Sequence, residues 1–324
     1  MASMGAPQRP GGLAGTVGVM AATERARSEQ SDASFRLPSP VEELTDTRLA
    51  DRSVRLLLKR DDLINPEVPG NKWRKLKYNL EAARRAGHET LLTFGGAYSN
   101  HIRATSAAGH HFGFRTIGVI RGESHEPLNP VLAYAVQQGM TLTYLDRTTY
   151  RRKHEPDVVQ RLHDEFGEFY LLPEGGSNAL ALRGCAEIVE EITEHFTAIC
   201  CPVGTGGTLA GVAAGLQTGQ EAIGFSVLKG GGFLNEDVRE LQEQTYGRER
   251  GRWRIELDYH FGGYAKQKPE LIAFINDFSS KHGLRLDRIY GAKMMYGIFD
   301  LVEHGRFSEG SVIVAIITGV TEDA

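Results

Sequence analysis

Apolar runs that alternate with helical patterns are the feature of this 324-residue chain that most constrains its fold. Residues 54–58, 90–94 and 198–203 have the length and the β-branched or apolar composition of buried strands. Helical spacing of apolar residues follows, for example over 72–86 and 100–112. Because a connecting helix lets consecutive strands run parallel, this order predicts an α/β fold with parallel sheets covered by helices on both faces.

The composition excludes several classes of protein. A net charge of −4 argues against a general nucleic-acid binder, whose binding surface is basic. No apolar run reaches the roughly 18 to 20 residues that a membrane-spanning helix needs. We therefore expect neither a nucleic-acid partner nor a membrane. Residues 1–33, rich in Gly, Ala, Ser, Gln and Arg, predict a disordered leader or an expression remnant.

The three cysteines, Cys185, Cys200 and Cys201, indicate the cellular compartment. An odd number without a CxxC pair predicts neither a disulfide framework nor a structural metal site. We expect a cytoplasmic protein without a metal, in which Cys200 and Cys201 are small buried residues of a strand.

One glycine-rich segment has the pattern of a phosphate-binding turn. Gly204-Thr205-Gly206-Gly207-Thr208 lies between a predicted strand and a helix of small residues. Glycines let successive backbone N–H groups converge, and the helix N-terminus adds partial positive charge, so the segment predicts a phosphate cradle. The alternative is an ordinary tight turn between strand and helix.

The same segment does not match the common nucleotide motifs. No Gly-Lys-Ser/Thr follows it, and its third glycine falls at Gly211, outside the GxGxxG spacing. The next predicted strand, 222–227, does not end in an acidic residue that would hold a ribose. A compact phosphorylated cofactor therefore fits better than a dinucleotide, although an NAD-dependent oxidoreductase stays open as a further alternative.

A second motif is Gly70-Asn71-Lys72-Trp73-Arg74-Lys75-Leu76, in which Lys72 opens a predicted helix. The positive end of the helix and the cationic neighbours favour the neutral amine of Lys72, which is the form that condenses with an aldehyde. The alternative is an ordinary basic helix face, and this segment alone does not decide between the two.

A third motif, Gly95-Gly96-Ala97-Tyr98-Ser99-Asn100-His101, follows the strand predicted at 90–94. Ser99 and the backbone amides around it could hold a carboxylate, and the alternative is a simple helix N-cap. We interpret His101 as a supporting residue rather than a catalytic base.

The three motifs occur together and in this order, and over residues 37–317 the chain resembles a family of fold-type II pyridoxal-phosphate enzymes. This family contains 1-aminocyclopropane-1-carboxylate deaminase and D-cysteine desulfhydrase. The resemblance implies two open twisted parallel sheets flanked by helices, and a homodimer. It further implies that the cofactor lies between a large domain, 34–76 and 175–324, and a small domain, 77–174.

The resemblance also implies a role for each site residue. Lys72 would bind the cofactor covalently and, once released, move the α-proton of a small amino acid. Lys75 and the segment Gly204 to Thr208 would hold the cofactor phosphate. Asn100 would bond the ring hydroxyl of the cofactor, and Thr318 its pyridine nitrogen. Ser99 would bind the substrate carboxylate, and Tyr264 and Tyr290 would be the two active-site tyrosines.

Two positions favour one reaction of the family over the other. The ring-opening deaminases carry a glutamate after the tyrosine that corresponds to Tyr290 and a leucine in the last glycine turn, whereas this chain has Gly291 and Thr318. We therefore expect a lyase of the D-cysteine desulfhydrase type, which eliminates a β-substituent such as sulfide to give pyruvate and ammonia. The ring-opening deaminase, a hydrolase, is the alternative, and a non-catalytic binding protein is another.

The C-terminus departs from the family pattern. Members continue past the final strand with a second glycine and a short tail, whereas this chain ends Gly319-Val320-Thr321-Glu322-Asp323-Ala324. We expect this departure to affect the wall of the pocket near the cofactor ring.

Overall fold

The computed structural model describes residues 35–319. The leader predicted for residues 1–33 and the C-terminal segment 320–324 lie outside the described residues. Residues 36–319 belong to one compact unit.

The described residues form ten strands and eleven α-helices. The strands are β1 (Val41–Leu44), β2 (Arg55–Lys59), β3 (Thr90–Gly95), β4 (Arg115–Arg121), β5 (Met140–Leu145), β6 (Tyr170–Leu172), β7 (Ala198–Val203), β8 (Glu221–Ser226), β9 (Arg252–Glu256) and β10 (Val312–Ile316). The helices are α1 (Thr47–Ala50), α2 (Asn71–Arg85), α3 (Asn100–Phe112), α4 (Pro130–Gln137), α5 (Arg147–Arg151), α6 (Pro156–Phe166), α7 (Ala179–Glu190), α8 (Gly207–Gly215), α9 (Leu234–Tyr246), α10 (Pro269–His282) and α11 (Gly291–Glu303).

The strands form two sheets, as the resemblance implied. The first sheet has the order β1-β2-β10-β7-β8-β9 and the second has the order β5-β4-β3-β6. The second sheet is parallel throughout. The chain enters the first sheet with β1 and β2, forms the whole second sheet, and returns to the first with β7 to β10. The predicted large and small domains each contain the strands of one sheet, and their bounds stay a prediction.

The first sheet has edge strands that were not predicted, β1 on one side and β9 on the other. β1 runs antiparallel to β2 while every other pair in this sheet is parallel. Only residues 45–54 connect β1 to β2. A parallel crossover needs a dozen or more residues, so the short connection forces the antiparallel arrangement.

Both faces of the first sheet are covered. Along β2, Leu56 and Leu58 pack into one apolar cluster and Leu57 packs into another on the opposite face. Cys200 and Cys201 divide between the same two clusters, and both are free and buried, as predicted. A strand that is buried on both faces has a continuous apolar sequence instead of an alternating one, which explains the runs in the sequence.

The predicted helices and strands agree with the structure to within a few residues, except that α7 ends at Glu190 rather than at the predicted 195. Several elements were not predicted, and α11 is the most informative of them. Its residues are buried on nearly every side, so no polar face marks the helical period. β9 was missed because charged and apolar residues alternate over only five positions, Arg252–Glu256.

A buried ionic cluster joins β2, α2 and α7 beneath the Lys72 segment. The Arg74 guanidinium, fully buried, contacts Asp61 at 3.0 Å and Glu191 at 2.5 Å. Lys59 Nζ contacts the same Glu191 at 2.6 Å. The backbone carbonyl of Asp61 accepts a hydrogen bond from Gly70 N, so the cluster also fixes the loop that precedes Lys72.

We expect the substitution Arg74→Met to lower the free energy of unfolding by about 3–5 kcal/mol, because it leaves the buried Asp61 carboxylate without its cationic partner. Arg85→Met is the matched control. It lies on the same helix, and its exposed pair with Glu81 at 3.9 Å contributes less than about 1 kcal/mol. Urea unfolding of both variants and the parent, followed by circular dichroism, measures the difference. Equal losses in the two variants would contradict a stabilising role for the buried cluster.

Candidate functional site

A cavity of about 780 Å³ opens at the carboxyl ends of strands from both sheets. Its wall includes the segments that directly follow β3, β6, β7 and β10. Ligands of open α/β sheets bind at this edge because the strand-to-helix turns expose backbone groups there. All but one of the predicted site residues line this cavity: Lys72, Lys75, Ser99, Asn100, Gly204, Thr205, Gly206, Thr208, Tyr264, Tyr290 and Thr318. The exception is Gly207, whose position is given below.

The Lys72 segment is held by a close backbone contact. Gly70 has a φ of +59°, and a Cβ atom added there would lie 2.2 Å from the carbonyl oxygen of Thr318. Only glycine combines this left-handed φ with so close an approach. The start of α2 and the turn after β10 therefore lie against each other, and they bring Lys72 and Thr318 into one wall of the cavity.

Lys72 has the electrostatic setting of a nucleophilic amine. Burial, together with the positive charge of Lys75, lowers the pKa of Lys72 to about 7. Within residues 35–319, Lys72 Nζ makes no hydrogen bond or ion pair of the kind that holds Lys59 and Lys293. A substantial fraction of the amine is therefore neutral near pH 7 and available to react with an aldehyde.

The glycine turn after β7 forms one end of the cavity together with Lys75. Lys75 Nζ donates to the carbonyl oxygen of Gly175 and to Ser177 Oγ, both at 3.0 Å. Ser177 Oγ in turn lies 2.9 Å from Thr205 Oγ1. The hydroxyl of Thr208 accepts from Asn71 Nδ2 at 2.9 Å, which ties the glycine turn to the start of α2.

This end of the cavity fits a phosphate group. Gly207 begins α8, and a Cβ added there would lie 2.4 Å from Ser177 Oγ and 3.1 Å from Lys75 Nζ, so the missing side chain keeps the cradle open. The N-terminus of α8 supplies unpaired N–H groups and partial positive charge. Burial lowers the pKa of Lys75, and an anion beside it would restore the charged form.

The turn after β3 presents Ser99 and Asn100 to the cavity. Ser99 caps α3, since its Oγ accepts from His101 N at 3.2 Å and from Ile102 N at 3.4 Å. The alternative interpretation of Ser99 as an N-cap is thus correct, and it is compatible with a role in binding. Asn100 and Ser99 are both half-buried and line the cavity.

His101 is buried and neutral. Its Nε2 lies 2.9 Å from Thr93 Oγ1, and that hydroxyl donates to the carbonyl oxygen of Leu172, so Nε2 carries the proton. Burial and the charges of Lys72 and Lys75 hold the pKa of His101 well below its usual range. His101 lies in the wall of the cavity, and these contacts support its interpretation as a supporting residue rather than a catalytic base.

The two tyrosines pack against each other in the wall of the cavity. The rings of Tyr264 and Tyr290 pack edge to face with their centres 6.0 Å apart. Burial and the proximity of Tyr264 raise the pKa of Tyr290 well above its usual range, so its hydroxyl keeps its proton and can donate. Lys293 Nζ donates to the carbonyl oxygens of His260 at 2.9 Å and Gly263 at 2.7 Å, and so holds the loop that carries Tyr264.

Sequence reasoning did not find every residue of the cavity wall. Asp237 on α9 lines the cavity and was not predicted. Ser177, which links Lys75 to Thr205 next to the cavity, was not predicted either. The signal for Ser177 was its place directly after Gly175-Gly176, a glycine pair that follows a strand. Thr318 and Gly319 line the cavity as expected, and the departure at 320–324 lies outside the described residues.

We expect Lys72 to be acylated half-maximally near pH 7, because its protonated form is unreactive below the pKa of about 7 and its neutral form predominates above it. An exposed lysine follows its ordinary pKa of about 10.4. Competitive labelling of cofactor-free protein with acetic anhydride at stepwise increasing pH, read by mass spectrometry, measures each lysine separately. A half-maximum for Lys72 at the ordinary lysine value would overturn this account of its environment.

Residues 35–319 contain neither a candidate metal site nor a candidate membrane span. Across the described ranges, no group of three or more His, Cys, Asp or Glu residues has the arrangement that would hold a metal ion. None of the helices in residues 35–319 has the length and apolar character that crossing a bilayer requires.

Comparison with known sequences identifies relatives along nearly the whole described chain. Residues 35–319 match the family described as pyridoxal-phosphate dependent enzyme. A Thermotoga maritima protein, provisionally named a 1-aminocyclopropane-1-carboxylate deaminase, is 32% identical over 299 residues, which are 87% of this chain and 94% of the relative. D-cysteine desulfhydrase of Serratia proteamaculans is 29% identical over 301 residues, which are 87% of this chain and 91% of that enzyme.

Solved structures show the same fold. The crystal structure of an ACC deaminase homologue matches with a TM-score of 0.76 at 27% identity and covers 88% of this chain and 90% of its own. The O-acetylserine dependent cystathionine β-synthase of Helicobacter pylori matches with a TM-score of 0.65 at 17% identity, over 90% of this chain and 95% of its own, which shows the fold alone. The chain belongs to the pyridoxal-phosphate dependent enzyme family, and its cofactor is pyridoxal phosphate rather than NAD.

Proposed function

We propose that the protein is a lyase that removes a β-substituent from a small amino acid, with D-cysteine as the type of substrate and pyruvate, ammonia and sulfide as products. The observation that carries the proposal is the Lys72 amine, whose pKa is lowered to about 7 in a cavity shared with the Lys75 phosphate cradle and the Ser99 turn. Homologues named D-cysteine desulfhydrase support the reaction type.

The proposed division of labour follows from where the groups lie. Pyridoxal phosphate, when bound, withdraws electrons from Cα and so acidifies the α-proton. Lys72 Nζ lies in the same cavity and takes that proton as a general base, for which a pKa close to the working pH is favourable. The cradle of Lys75 and residues 204–208 orients the cofactor through its phosphate.

The substrate is proposed to be held by the Ser99 turn and the two tyrosines. Ser99 and Asn100 offer a hydroxyl, an amide and backbone N–H groups to a carboxylate. Tyr290 keeps its proton, so we propose that it donates a hydrogen bond to the substrate or the leaving group. Asn100 and Thr318 are proposed to bind the ring hydroxyl and the pyridine nitrogen of the cofactor.

Ring-opening deamination is the second candidate, because several relatives carry that provisional name. The surroundings of Gly291 argue against it. The Asp287 carboxylate accepts hydrogen bonds from the backbone N–H groups of Ile289, Tyr290 and Gly291 at 3.1, 2.6 and 2.6 Å. A Cβ at position 291 would lie 2.7 Å from Asp287 Oδ2, so a glutamate there would disturb the turn that orients Tyr290.

We expect holoenzyme to form pyruvate from D-cysteine or β-chloroalanine, and Lys72→Ala to lose at least about 1,000-fold in kcat/KM because it removes the general base and the covalent anchor together. Lys281→Ala, an exposed lysine on α10, is the control and keeps the parental rate. The assay covers D- and L-cysteine, β-chloroalanine, serine and 1-aminocyclopropane-1-carboxylate. Turnover undiminished in Lys72→Ala would exclude the mechanism, and 2-oxobutanoate from the cyclopropane substrate would favour the second candidate.

A glutamate at position 291 tests why this chain differs from the ring-opening enzymes. We expect Gly291→Glu to displace the Asp287 carboxylate, to lower the free energy of unfolding by about 1–2 kcal/mol as the loss of a helix cap does, and to give no 2-oxobutanoate. Gly291→Ala introduces the Cβ without the charge and separates the two effects. Thermal unfolding and the pyruvate assay on both variants measure the outcome. Ring opening gained by Gly291→Glu alone would contradict the argument from Asp287.

The homodimer that the family resemblance implies and the cytoplasmic location that the cysteines indicate are part of the proposal. Sedimentation equilibrium of the holoenzyme tests the first.

A further inference from the structure

A second cavity, of about 460 Å³, adjoins the one that holds Lys72. We call it the basic cavity, and it is lined by Arg121, Arg147, Tyr150, Arg151, Lys153 and Glu174. Arg121, Lys153 and Glu174 belong to the wall of both cavities, so the basic cavity is adjacent to the proposed active site.

The charges of the basic cavity are not balanced by acids. Lys153 Nζ pairs with Glu174 at 3.1 Å, and Glu174 is the one carboxylate among the lining residues. Arg121, Arg147 and Arg151 make no ion pair with any carboxylate in the part of the chain that the structure describes. Elsewhere in these residues many arginines have an acidic partner, as Arg152 does with Glu155 at 2.6 Å. Three uncompensated guanidinium groups around one concavity favour an anion.

Tyr150 gives an independent indication of a ligand. Its side chain is only 2% exposed and lines the basic cavity. The Glu174 carboxylate lies near its hydroxyl, but the hydroxyl makes no hydrogen bond of normal length and angle within residues 35–319. Burial and the Glu174 carboxylate raise the pKa of Tyr150 above its usual range, so the hydroxyl is a donor. A buried donor without a well-placed acceptor is unfavourable, and an anion in the cavity would satisfy it.

The basic cavity lies beside the turn that we propose binds the α-carboxylate. Arg121 ends β4, and its Nη2 atom lies 3.6 Å from the point where a Cβ of Gly96 would be. The carbonyl oxygen of Gly96 accepts a hydrogen bond from Ser99 N at 3.0 Å, so Gly96 and Ser99 belong to the same turn. Arg121 therefore lies against the turn that carries Ser99. On the other side of the basic cavity, Glu174 directly precedes Gly175, whose carbonyl oxygen accepts a hydrogen bond from Lys75 Nζ.

We propose that the basic cavity recognises an anionic β-substituent of the amino-acid substrate, such as a phosphate or sulfonate. The inference rests on the proposed elimination and names its substrate class. With a phosphate ester, Lys72 takes the α-proton, the Cβ–O bond breaks, and its electron pair leaves with inorganic phosphate. The released 2-aminoacrylate then takes up water to give pyruvate and ammonium.

The first experiment compares two substrates that differ in the charge of the leaving group. KM and kcat of the holoenzyme are measured for O-phosphoserine and O-acetylserine, each as both enantiomers. We expect a lower KM for the phosphate ester. Arg121→Gln should raise the ratio of the KM for O-phosphoserine to the KM for O-acetylserine by about tenfold or more, since a hydrogen bond to a charged group is lost.

Two further variants make the comparison specific. Tyr150→Phe keeps the ring and removes only the buried hydroxyl, and it should raise the same ratio several-fold. Arg85→Gln removes an exposed arginine of α2 whose carboxylate partner is 3.9 Å away, and it should leave the ratio unchanged. A ratio that stays at the parental value in both Arg121→Gln and Tyr150→Phe would overturn the proposal.

Inorganic phosphate distinguishes an anionic substrate from a free anion. On the holoenzyme, whose cofactor phosphate occupies the Lys75 cradle, phosphate should compete with O-phosphoserine and inhibit O-acetylserine turnover less. Phosphate that binds in calorimetry without competing with O-phosphoserine would mean a site for a free anion and would overturn the substrate assignment.

Failure of the proposed function is distinguishable from failure of this inference. If the parent enzyme eliminates neither ester, the proposed elimination of these substrates fails. Calorimetric binding of O-phosphoserine that Arg121→Gln weakens about tenfold would then still support the basic cavity. Binding that Arg121→Gln and Tyr150→Phe both leave unchanged would overturn it.

Discussion

The position of Lys72 depends on the buried charge cluster beneath it. Arg74 lies two residues further along α2 and is held between Asp61 and Glu191, and Asp61 also accepts from the backbone of Gly70. These contacts hold the first turn of α2 at Gly70, before Lys72, and at Arg74, after it. A buried ion pair of this kind adds little net stability over an apolar core, but breaking it is costly, so it specifies one position for the turn.

Two neighbouring lysines have different environments, and the difference follows from their partners. Lys75 donates to a carbonyl and a hydroxyl and points toward the glycine turn, where an anion would keep it charged. Lys72 has no such partner among the described residues, and the charge of Lys75 further disfavours its protonated form. One lysine is therefore suited to hold a phosphate and the other to act as nucleophile and base.

Glycine positions explain much of the site geometry. Gly70 allows the start of α2 to touch the turn after β10, and Gly207 leaves room between Lys75 and Ser177. At Gly291 the neighbouring Asp287 carboxylate occupies the space that a side chain would need. Gly70 and Gly207 leave the space that the site needs. Gly291 bears on the type of reaction, because a glutamate at this position would disturb the turn that orients Tyr290.

The sequence by itself determined the α/β class, most strands and helices, the three motifs and, through their order, the family and cofactor. It could do so because buried parallel strands have continuous apolar runs and glycine turns recur where they end. Only the tertiary structure decided the antiparallel β1, the helix α11 and the basic cavity. β1 pairs with β2 across a short connection, α11 is buried on nearly every side, and Arg121 and Tyr150 come together from separate elements. All three features depend on spatial packing, which local sequence patterns do not contain.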